Sequence, residues 1–125
     1  MMDGSLLVYI GSFLPVVWGL AHLFPTGNVV RGFGGISIDN KRIITMEWII
    51  EGVTLVFVGT VTALATYVDR HSAVSMTVYW ATFSLLNVLS LISLFTGFRV
   101  SFIAFRLCPV IFTGSSLLVV VGAHI

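Results

Sequence analysis

The sequence predicts an all-α fold, an integral membrane four-helix antiparallel bundle, and three observations carry that prediction. Hydrophobic residues make up 58% of the chain and charged ones 9%, with a mean hydropathy of +1.09, far from the balance of a soluble domain. Four stretches, at about 5–24, 44–68, 74–95 and 101–122, reach the roughly 20 apolar residues that a spanning helix needs. These runs are continuously apolar rather than alternating, which argues against a barrel. They occupy most of residues 1–125, so the chain reads as a single four-span transmembrane domain with no separate soluble part.

The first span is preceded by Asp3 without any lysine or arginine, so it lacks the basic leader of a secretory signal peptide and reads as a retained helix. Pro15 falls inside it, and a proline there withholds the hydrogen bond due to the carbonyl of Gly11. The connection 25–43 is the longest and holds Gly27, Gly32, Gly34 and Gly35 among Val29, Val30, Phe33 and Ile36, a texture expected of a flexible cap on the bundle mouth. Its glycine run is no phosphate loop, because no strand precedes it and no Gly-Lys-Ser/Thr follows. Ser37 and Asp39 suit a helix start, so the second helix should begin several residues before the membrane does.

Within the second span Glu47 and Glu51 lie four residues apart and share a face. Trp48 and Tyr67, near its two ends, fit interfacial anchoring. The third span carries a modest polar stripe of Ser84, Asn87 and Ser90, for which hydrogen bonding between helices is the default explanation. In the fourth, Pro109 frees the carbonyl of Phe105 beside Arg106, and Cys108, the single cysteine, can form no intramolecular disulfide. Gly52, Gly59, Gly114 and Gly122 read as close-approach positions between helices.

Orientation follows from the cations. Arg31, Lys41, Arg42 and Arg99 fall in the connections at one side and Arg70 at the other, so the positive-inside rule places the first group in the cytoplasm and both termini on the non-cytoplasmic side. A net charge of +1 with no basic run excludes nucleic acid as a partner.

Ionisable groups inside apolar spans usually face a bundle interior, pair with each other or serve a ligand. Counted at about 1.5 Å per residue from the expected span ends, His22, Glu51, Asn87 and Arg106 fall on the order of 3–12 Å inside the same leaflet. One residue comes from each helix, an arrangement that an antiparallel bundle can gather into a pocket. Trp18 precedes His22 by one helical turn and shares its face. Trp18, His22, Glu47, Glu51, Asn87 and Arg106 are therefore the candidate ligand-binding residues. The competing reading is an ion-pair ladder in which Glu47 and Glu51 face Arg99 and Arg106 and lock the second helix to the fourth. No catalytic residue is assigned. A metal site of His22, Glu47 and Glu51 lacks the paired Glu-x-x-His motifs of di-iron bundles, and His71 and His124 lie on the side opposite His22, which disfavours haem.

The segment Trp18-Gly-Leu-Ala-His-Leu-Phe-Pro25, closing a first span ahead of a glycine-containing connection, resembles the DoxX-like group of small four-helix bacterial membrane proteins. That resemblance implies a bacterial inner (cytoplasmic) membrane location and either a small interior site or an accessory role, some members being tied to quinone-linked assemblies. Three functions stay open. The first is a binder of a quinone- or lipid-like molecule in the cytoplasmic half of the bundle. The second is an accessory subunit, in a homo-oligomer or larger membrane complex within the lipid bilayer. The third is a membrane enzyme using Glu51 or His22 as proton carrier, for which no reaction signature exists.

Overall fold

A computed structural model describes residues 3–125, all of its regular structure being helical. Helix α1 spans Gly4–Leu23, α2 Thr26–Gly32, α3 Ile38–Asp69 and α4 Ala73–Thr96. A single 3-10 turn, Gly97–Arg99, leads to α5, Ile103–His124. Four of these helices, all but α2, are long and apolar enough to cross a membrane, and the chain is read as a membrane protein on that ground.

Short polar side chains set where the helices begin. Asp3 accepts from the backbone N–H of Ser5 at 3.2 Å, Ser37 from Asn40 at 3.2 Å and Ser72 from Ser75 at 3.1 Å, each satisfying a donor that the first turn cannot pair. The Ser37 cap and Asp39 start α3 early, as the sequence indicated. At 32 residues α3 is about 48 Å long, well beyond the roughly 30 Å of a hydrocarbon layer. Between α1 and α3 the connection is not loose throughout, because Thr26–Gly32 form two turns of helix. The hydroxyl of Thr26 donates to the carbonyl of Leu23 at 2.8 Å and so bridges the two helices across Pro25. Gly34 then takes a left-handed φ of 71°, a conformation open to glycine at little cost, and turns the chain into α3.

Contacts along the helices fix the topology. Gly19 lies against Gly52 and Ser12 against Gly59, so α1 and α3 are antiparallel; Gly4 lies against Gly122 and Gly11 against Ser115, so α1 and α5 are too. Thr62 meets Thr82 at 2.8 Å and Thr66 meets Tyr79 at 2.9 Å across the α3–α4 pair. Between α4 and α5, Asn87 donates to the hydroxyl of Ser116 at 3.0 Å, and Ser90 pairs with Thr113 at 2.8 Å. The four long helices thus form a ring in the order α1, α3, α4, α5, with α3 and α5 on a diagonal. Both described chain ends and the α3–α4 turn lie at one end of the bundle, here the terminal end. At the other, the connection end, lie α2 and the 3-10 turn.

Small residues let α1 approach both neighbours closely. A Cβ on Gly52 would come within 3.0 Å of the Gly19 carbonyl, and one on Gly122 within 2.6 Å of the Gly4 carbonyl. Gly59 is likewise closed by the carbonyl of Ser12. Gly114, expected to do the same, faces open space on the outer part of α5. The carbonyl of Gly11, deprived of its helical donor by Pro15, receives the hydroxyl of Ser115 from α5. A proline in one helix is thus compensated by a serine in the next. Two apolar clusters fill the ring, Val8, Tyr79, Val119 and Ala123 toward the terminal end, and Leu55, Leu86, Cys108 and Phe112 toward the connection end.

Candidate functional site

At the connection end the last turn of α1 brings His22 inward, with 7% of its surface exposed. Its Nε2 lies 3.4 Å from Oε1 of Glu51 on α3, and its Nδ1 lies 3.2 Å from the carbonyl of Trp18 one turn earlier. Both ring nitrogens therefore face an acceptor. A neutral imidazole carries one N–H and serves one of them, whereas an imidazolium serves both.

Trp48, one turn before Gly52 on α3, closes the arrangement. Its indole stacks on the His22 ring with centroids 4.6 Å apart and planes 26° from parallel, and its N–H donates to the His22 carbonyl at 2.6 Å. That carbonyl belongs to the last turn of α1, where no helical donor is assured, so Trp48 also finishes the helix. On the other side Phe105 of α5 meets Trp48 edge-on at 5.8 Å. Trp18 donates its indole N–H to the sulfur of Cys108 at 3.4 Å, tying α1 to α5.

These side chains enclose a concavity of about 870 Å³. Trp18, His22, Trp48, Phe105 and Cys108 form its inner wall, while Pro25, Asn28, Val29 and Gly32 of the α2 segment cover one flank and Val100 and Phe102 the other. The volume falls within the roughly 300–1,000 Å³ typical of small-molecule sites, and the walls have the usual aromatic and apolar character. A smaller groove of about 390 Å³ lies on the far side of Trp48, lined by Glu47, Glu51, Thr54, Leu55 and Leu89 among others. Glu51 thus reaches His22 from behind the wall.

No protein-family model matches this chain, and no curated protein or solved structure is significantly similar to it. The site stands on its geometry.

Of the residues singled out by sequence, Trp18 and His22 line the larger concavity, and Glu51 touches His22 from the adjoining groove. Glu47 lies one turn further out, exposed on the rim of that groove. Asn87 is not at this layer: it sits deeper along α4, donating to the Phe83 carbonyl at 2.7 Å and to Ser116. Arg106 is at the right end but faces outward, its Nε donating to the carbonyl of Val100 at 3.1 Å. On a helix a position two residues from buried Cys108 is turned about 200° away from it, which places Arg106 outside the core. The ladder from Glu47 and Glu51 to Arg99 and Arg106 does not form, because α3 and α5 sit on the diagonal of the ring. Among the described residues the ion pairs are His22–Glu51, Asp39–Arg42 and Asp3–Arg70.

Trp48 and Cys108 belong to the site although the sequence reading placed neither there. Trp48 looked like an interfacial anchor, a role whose exposure is seen only at Tyr67, 80% accessible. The signal was present in the spacing: Trp48, Gly52 and Leu55 fall at i, i+4 and i+7, the face that α3 turns to α1. At the terminal end His71 lies against Arg70 and His124 against Trp80, far along the bundle from His22.

Proposed function

We propose that this chain is a small polytopic membrane protein that holds a lipophilic molecule, quinone- or lipid-like, in the concavity at the connection end. The observation that carries the reading is the wall itself. Two indoles and an imidazole are held in fixed orientation by hydrogen bonds and by Glu51, so the apolar surface is organised before any ligand arrives. Within this reading the pairing of Glu51 with His22 is both a lock between α1 and α3 and the back of the binding surface. Arg31, Lys41, Arg42 and Arg99 cluster at this end, which supports a cytoplasmic-leaflet pocket, termini on the non-cytoplasmic side and a bacterial inner membrane setting, as the DoxX-like resemblance implies.

The test is retention. Protein purified in mild detergent is extracted with organic solvent and the extract analysed by mass spectrometry, alongside Trp48→Ala and, as a folded control away from the wall, Gly114→Ala. A molecule enriched in wild type and the control but lost from Trp48→Ala supports the pocket. Equal recovery from all three overturns it, and a discrete heteromeric complex carrying no such molecule assigns the accessory-subunit role instead.

A further inference from the structure

The polar side-chain atoms of the inner wall are already partnered: both indole N–H groups and the Cys108 thiol, which donates to Ala104 at 3.5 Å, have bonds within the protein, and each imidazole nitrogen faces an acceptor. Little remains there to orient a polar head. The mouth is different. Arg106 uses one of its five N–H groups on the carbonyl of Val100, a residue of the pocket lining, and Arg31 donates to the side chain of Asn28, another lining residue on α2. Both arginines are exposed, and each is tied to the lining through one hydrogen bond, Arg31 at Asn28 and Arg106 at Val100. None of the acids of this end lines the concavity: Glu47 and Glu51 line the groove behind Trp48, where Glu51 meets the back of His22, and Asp39 lies against Arg42.

We infer that the pocket takes an anionic amphiphile, with an acyl chain along the wall of Trp18, Trp48 and Phe105 and a carboxylate or phosphate head at the mouth between Arg31 and Arg106. This rests on the proposed binding function and names the class of ligand. A guanidinium offers paired donors that match either oxyanion, and two guanidiniums bonded to residues of an apolar lining favour a head with negative charge over a neutral one.

Fluorescence quenching tests this in the Trp80→Phe protein, whose remaining indoles, Trp18 and Trp48, both lie in the wall. The probes are dibrominated stearate, the corresponding dibrominated alcohol, and brominated phosphatidylglycerol, added at a pH where the fatty acid is ionised. The expected result is saturable quenching by at least one anionic probe, roughly tenfold tighter than by the alcohol, the worth of one charge-assisted hydrogen bond. The preference should disappear in the Arg31→Gln/Arg106→Gln variant while quenching by the alcohol persists, which also shows that the variant is folded. Stearate and phosphatidylglycerol distinguish a free fatty acid from a membrane phospholipid as source, and saturation by either at lower concentration than by the alcohol supports the assignment. Equal affinity for acid and alcohol in the parent protein overturns the anionic head and leaves the pocket standing. Absence of saturable quenching by every probe overturns both.

Discussion

The rings of His22 and Trp48 are stacked at 4.6 Å, and the same Trp48 donates its N–H to the carbonyl of His22 at 2.6 Å. One residue of α3 thus grips both the side chain and the backbone of one residue of α1. Trp48→Phe keeps a ring but withdraws the donor, and should lower stability in detergent by about 1 kcal/mol, the usual worth of one hydrogen bond. Trp48→Ala also removes the stack and leaves a void, with an expected loss of about 3 kcal/mol. Denaturation by a graded anionic detergent, followed by circular dichroism, measures both.

The His22–Glu51 contact has a buried partner and one whose side chain is 43% exposed, so solvent screens it. A double-mutant cycle of His22→Phe and Glu51→Gln should return a coupling of about 0.5 kcal/mol, near the average for polar pairs between membrane helices. Additive losses would show that proximity without energetic coupling is all that the pair has.

Glycine positions give a sharp contrast. Gly59→Ala drives a methyl group into the backbone carbonyl of Ser12 and should destabilise the bundle by about 1–3 kcal/mol, as overpacked interfaces do. Gly114→Ala meets nothing and should be neutral or stabilising, by up to about 1 kcal/mol, through helix propensity. Reversal of this order in melting experiments would contradict the packing of α1 on α3.

Ser115→Ala strips the carbonyl of Gly11 of its donor and should cost about 1–3 kcal/mol, the penalty of a buried unsatisfied group. In a Pro15→Ala background the residue at 15 regains an N–H for Gly11, and the same serine substitution should then cost less. Equal costs in the two backgrounds would mean that the proline and the serine are unrelated.

The number of long apolar helices and the early start of α3 could be read from runs of apolar residues and from Ser37, because those features are local. Facing could not. In helices that are apolar nearly all round, the pattern does not distinguish the side that meets protein from the side that meets lipid, and Arg106 was assigned inward on depth alone. The neighbours of a helix are equally invisible in its own sequence, which is why a ladder between α3 and α5 looked reasonable until the ring order put them on a diagonal. The short α2 escaped notice because its glycines, Gly27 and Gly32, flank only a few helix-compatible residues.

At the terminal end Arg70 reaches back to Asp3 at 3.4 Å and to the hydroxyl of Ser5 at 3.3 Å. Together with His22 and Glu51 at the opposite end, this fastens the first two long helices, α1 and α3, to each other at both extremities. Such a hairpin is complete as soon as Arg70 has been synthesised. Both of its side-chain fastenings lie within residues 3–70, whereas the bonds of Trp18 to Cys108 and of the Gly11 carbonyl to Ser115 are added by α5.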